Sequence, residues 1–91
     1  MKTIKIIVSG RVQGVSYRMY TRQKARQLGV KGYVRNLRNG DVEIVAAGED
    51  EAIDKLIKWS KSGSPSAVVS NVKVETITDK VEEFTDFAIR Y

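Results

Sequence analysis

Between Gly10 and Arg18 the chain reads GRVQGVSYR, two glycines and two arginines grouped where a helix is expected to begin. That spacing suits the capture of a phosphate group. Gly14 admits a positive φ, which turns successive backbone N–H groups toward one anion, and the helix N-terminus adds its partial positive charge. A cation in the first turn of a helix is disfavoured by the helix dipole, so Arg18 makes most sense with an anion between the two. The same residues also admit a plainer reading, a strand-to-helix turn carrying a solvated arginine, and this stretch alone does not decide between them.

Composition narrows the chemistry. The 91 residues include no cysteine and no histidine. Disulfides, thiolate catalysis and Cys-ligated metals are thereby excluded, and the commonest general base and metal ligand at neutral pH are missing. Residues 1 to 40 hold ten Lys or Arg and no acid, whereas residues 41 to 91 hold six bases and all eleven acids, so the two parts carry +10 and −5. Such asymmetry draws anions to the surface formed by the first part. The opening MKTIKIIVSG alternates and is charged, unlike a signal peptide, and there is no long apolar run. The expectation is a single domain over 1–91, monomeric and cytoplasmic, with no membrane partner and no metal or organic cofactor.

The elements that must position Arg18 follow from periodicity. Ile4, Ile6 and Val8 alternate with Thr3, Lys5 and Ser9 and predict a half-buried strand over 3–9. Tyr17, Thr21, Ala25 and Leu28 share one face of a helix that Gly29 stops. A second strand, 30–36, and a third, 42–47, flank the hairpin signal Asn39-Gly40. Glu49, Asp50 and Glu51 open a second helix, apolar at Ile53, Leu56 and Ile57 with Ser60 on the same face, which ends near Gly63. A loop around Pro65 leads to a fourth strand over 68–77, and Phe87, Ile89 and Tyr91 mark a short closing one. The order βαββαβ predicts an α+β, ferredoxin-like sandwich: an antiparallel sheet covered on one face by two helices, with a short extra C-terminal strand. Strands one and two are then parallel with strand three between them. The Gly10–Arg18 loop and Asn36, which follow or end those two strands, should therefore converge.

The residues at these positions resemble the acylphosphatase family. GRVQGVSYR is similar to its G-x-V-Q-G-V-x-[FY]-R block, and GYVRNLRNGDVEIVAAG, from Gly32 to Gly48, to its G-[YW]-V-x-N block with the turn and V-E that follow. SGSPSAVVSNV and the ending FAIRY fit the same pattern, so the resemblance covers essentially the whole chain. It implies hydrolysis of the carboxyl-phosphate bond of acyl phosphates to a carboxylate and inorganic phosphate, the latter both product and competitive ligand, without a cofactor. By the same resemblance Arg18 binds the phosphoryl group, Asn36 orients the attacking water, and Arg11, Val12, Gln13, Gly14 and Val15 supply the backbone cradle. Ser16 stands where many relatives carry glycine, and Leu37 where others have threonine. The family also includes domains of larger carbamoyl-transfer enzymes, but a chain ending at Tyr91 is expected to stand alone.

The chemistry of the residues agrees with this. An acyl phosphate already carries a good leaving group, so the main demand is to neutralise a phosphoryl group and hold water in line. Arg18 offers a planar, permanently charged fork for phosphate oxygens. Asn36 is no base, but its amide can fix the direction of a water whose proton passes to a substrate oxygen, as is proposed for the family. An isolated Asn beside Asn39-Gly40 also reads as a strand-end residue bonding its own turn. The alternative from another class is a non-catalytic ferredoxin-like module for nucleic acid or a phosphorylated ligand. RNA-binding sheets of this plan stack bases on aromatics of strands one and three, and neither 3–9 nor 42–47 has one.

Overall fold

The computed structural model describes residues 2–77 and 84–91. Its elements are β1 (Lys2–Arg11), α1 (Tyr17–Leu28), β2 (Lys31–Asn36), β3 (Val42–Gly48), α2 (Asp50–Ser60), β4 (Val68–Thr76) and β5 (Phe87–Arg90). The five strands form one sheet in the order β4-β1-β3-β2-β5. β1 and β2 both run antiparallel to β3, which lies between them, so their C-terminal ends share one edge as the element order predicts. β5 adds a parallel pair on β2, Gly32 opposite Phe87 and Arg35 opposite Arg90, at the rim of the otherwise antiparallel sheet. Alternation alone did not specify that direction, because a four-residue edge strand reads the same either way.

Both helices cover one face, α1 over β2 and β5, α2 over β1 and β3. Ile4, Ile6 and Val8 of β1, Val34 of β2 and Val42, Ile44 and Ala46 of β3 meet Ala25, Ile53 and Leu56 in a core from which water is excluded. α1 ends as its glycine requires: Gly29 takes φ 75° and its N–H donates to Arg26 O at 3.1 Å, while Val30 N–H reaches Ala25 O at 2.9 Å. Among the described residues no helix is long and apolar enough to cross a membrane.

β3 departs from simple alternation, for Glu43 and Val45 are buried as well. Their face carries no helix. Long side chains of neighbouring strands close over them instead, and Lys5, Tyr33, Arg35 and Phe84 line the hollow there. Glu43 accepts from Arg35 Nε at 2.7 Å and from Tyr33 Oη at 3.0 Å. Burial alone would push its carboxyl up, but the hydrogen bonds from Arg35 and Tyr33 and the charges of Arg35 and Lys5 together hold it below the usual carboxylate range. A lowered folded-state value means the stabilisation is present above the unfolded value of about 4.3 and is lost as pH falls through the folded one. Glu43→Gln should therefore be less stable by about 1 to 2 kcal/mol at pH 7, with the gap closing below about pH 4 in parallel urea titrations.

Candidate active site

The loop between β1 and α1 is shaped at both ends. Gly10 sits at a register shift where β1 changes its pairing with β4, at φ 122°, and a Cβ there would lie 2.2 Å from Val68 O. Only glycine fits that bulge. Gly14 takes φ 75° with nothing within 4 Å of where its Cβ would be, and Ser16, the N-cap of α1, takes φ 61°. Among the described residues the backbone N–H groups of Gln13, Gly14, Val15 and Ser16 donate to no acceptor. Four consecutive free donors beside a helix N-terminus whose first turn has no acid make this loop electropositive, and Gly14 and Ser16 line a cleft there.

Side-chain hydrogen bonds to two other parts of the chain hold this loop. Gln13 Nε2 donates to Leu37 O at 2.7 Å and Asp41 O at 2.8 Å, tying it to the β2–β3 hairpin. Ser64 Oγ donates to Val15 O at 2.8 Å, and Tyr17 Oη to Ser60 O at 2.8 Å, tying it to the end of α2. Tyr17 is buried, packed on Trp59 with ring centroids 5.5 Å apart, and burial pushes its hydroxyl above the ordinary tyrosine range. Its ring also lies over Gly63, where a Cβ would come within 2.2 Å. Tyr17 and Trp59 are thus packing aromatics. The side-chain role of Gln13 and the parts of Ser64 and Gly63 are invisible in the sequence, since partners up to 49 residues apart leave no local pattern.

Arg18 projects from the first turn of α1 into a cleft of about 530 Å³ lined also by Val12, Gly14, Ser16 and Arg22 and walled by Met19, Ile89 and Tyr91. Its Nη1 donates to Arg90 O at 3.4 Å, and its guanidinium stands 4.9 Å from the Tyr91 ring. The end of β5 therefore positions this arginine, a contact the sequence did not reveal. Arg11 closes β1 opposite Val68 and is exposed. Val12 is buried and lines the cleft; Val15 is partly buried.

Asn36 ends β2, paired with Val42, and is not among the residues lining that cleft. Gln13 bonds the carbonyl of its neighbour Leu37, so the two sequence-distant segments do converge. The turn itself is served by Asn39, whose Oδ1 accepts from Asp41 N–H at 3.0 Å. Asn36 Oδ1 is buried and has no hydrogen-bond partner among the described residues. The reading of Asn36 as a residue bonding its own turn is thereby removed, and an acceptor is left waiting for a donor.

Ser16 is the one described non-glycine residue at positive φ, and it makes no side-chain cap bond. Left-handed backbone costs an L-residue about 1 kcal/mol or more, against which glycine loses about 0.5 to 1 kcal/mol in chain entropy. Ser16→Gly should fold with stability within about 1 kcal/mol of the parent, and Ser16→Val should lose about 2 kcal/mol or more, as read by urea denaturation.

A family model described as Acylphosphatase matches residues 4–89. An acylphosphatase of Caldivirga maquilingensis is 48% identical over 89 residues, covering 97% of this chain and 93% of the relative. The solved acylphosphatase of Coxiella burnetii superposes with a TM-score of 0.91 at 47% identity, over 98% of this chain and 92% of that one. The crystal structure of acylphosphatase from Bacillus subtilis gives 0.94 at 35% identity over the whole of both chains. With the fold, the braced loop and these likenesses in agreement, the chain belongs to the acylphosphatase family.

Proposed function

We propose that the Gly10–Arg18 loop and Asn36 carry out the hydrolysis of acyl phosphates that family membership assigns to this enzyme. The phosphoryl group sits against the N–H groups around Gly14, with Arg11 and Val12 leading into the cradle and Gln13 and Val15 within it, and Arg18 bridges two of its oxygens. The Asn36 side-chain amide hydrogen-bonds a water and aims its oxygen at phosphorus. The water oxygen bonds to phosphorus as the phosphorus-to-acyl-oxygen bond breaks. The carboxylate leaves with that electron pair, and the water's proton passes to a phosphoryl oxygen. Fixed donors directed at a transition state that spreads negative charge supply most of the acceleration.

The observations that carry this reading are the convergence of the end of β2, where Asn36 stands, with the Gly10–Arg18 loop through Gln13, and the four free N–H groups in that loop. A passive turn has no use for either feature. Metal independence is supported by the composition, which lacks His and Cys and places every acid beyond residue 40. We assign the reaction to a single chain acting in the cytoplasm on small acyl phosphates, with no nucleic-acid partner. The test is hydrolysis of an aryl acyl phosphate with and without chelator. Equal rates are expected, with competitive inhibition by phosphate and a KM that rises with ionic strength as the basic surface is screened. Loss of activity in chelator, or purely noncompetitive inhibition, would contradict it.

A further inference from the structure

α1 carries Arg18, Arg22 and Arg26 at four-residue spacing, which stacks them along one side of the helix, and the helix contains no acid. Three like charges so placed repel one another unless each has a use. Arg26 is neutralised by Asp86, Nη2 to Oδ2 at 2.8 Å and Nε to Oδ1 at 3.3 Å. Arg18 leans on Arg90 O and the Tyr91 ring. Arg22 lies between them, and among the described residues it makes no hydrogen bond and no ion pair. Among the described residues Asp86 is an acid near Arg22, and it is already taken: its carboxyl is held below the usual range by the Phe87 N–H first and then by Arg26, with the charge of Arg22 the weakest contributor.

Arg22 nevertheless faces the same cleft as Arg18, whose wall includes the apolar side chains of Val12, Met19, Ile89 and Tyr91. We propose that Arg22 is a second anion site, which makes the preferred substrates acyl phosphates whose acyl group ends in a further anionic group such as a carboxylate. This rests on the phosphoryl group occupying the loop beside Arg18. Four helical residues rise about 6 Å, which matches the span from phosphorus to the terminal carboxylate of a four-carbon chain. The apolar wall then covers the methylenes between the two charges. Met19, Arg22 and the adjoining helix surface would set selectivity, while the loop sets the reaction.

Two stable phosphonates with the same four-carbon chain separate this from a general attraction for anions. Calorimetric titration of 4-phosphonobutyrate and butylphosphonate into the full chain should show the carboxylate compound binding about fivefold more tightly at low salt, with the gap narrowing as salt rises. Arg22→Gln keeps good helix propensity on a surface position, so the fold is retained, and it should erase the gap. Arg22→Lys should keep most of it, since a tail carboxylate needs charge more than a fork. A wild-type gap under twofold, or one that survives Arg22→Gln, overturns the proposal. If neither phosphonate nor inorganic phosphate binds the wild type, the phosphate site itself is wrong and this proposal falls with it.

Discussion

Arg18→Gln should lower kcat/KM by about 10³-fold or more and abolish the stabilisation that inorganic phosphate gives against unfolding. Arg18→Lys should recover little of either, because a point charge cannot bridge two phosphoryl oxygens as the planar fork does. The fold should survive both changes. Arg18 gives the folded state only a 3.4 Å bond to Arg90 O and a contact with the exposed Tyr91 ring, together about 1 kcal/mol at most. A thermal scan with and without phosphate, run beside steady-state kinetics, separates lost binding from lost structure. Near-normal phosphate protection in Arg18→Gln would move the phosphoryl group elsewhere.

Asn36→Ala should behave differently. The side chain makes no hydrogen bond within the described residues, and its buried, unpartnered Oδ1 costs the folded state about 1 to 3 kcal/mol. Removing it should leave stability unchanged or raise it by about 1 kcal/mol in urea titrations. Turnover should fall about 10²-fold or more, the loss expected when a group that positions the nucleophile is deleted. A residue that weakens the fold yet is needed for rate is the pattern of a site built for substrate. Equal losses of stability and activity would instead mark Asn36 as an ordinary structural residue.

Much of this was legible in the chain. Tyr17, Thr21 and Ala25 are buried on one face of α1 and Gly29 stops it, because helix period and glycine's left-handed freedom are local signals. The convergence of the Gly10–Arg18 loop with the end of β2 followed from element order, and Gln13 now shows the bond that makes it. What could not be read was set by distant partners. Glu43 is a charged residue in a short strand, and only Tyr33 and Arg35 of the next strand, which fold over it, account for its burial. Ser64 and Gly63 looked like ordinary loop residues, and nothing in their neighbourhood announces a brace beneath Val15 and Tyr17. Arg90 and Tyr91 are 72 or more residues from Arg18, and only the parallel edge strand brings them to it.

The division of labour between Arg18 and Asn36 is tested most directly by titrating inorganic phosphate into folded Asn36→Ala and comparing its Kd with that of the wild type and of Arg18→Gln. Binding within about twofold of wild type in Asn36→Ala, with turnover down about 10²-fold, and no measurable binding in Arg18→Gln is the expected result. Loss of phosphate binding in Asn36→Ala, or retention of turnover there, would contradict the assignment of Asn36 to the water and Arg18 to the phosphoryl group.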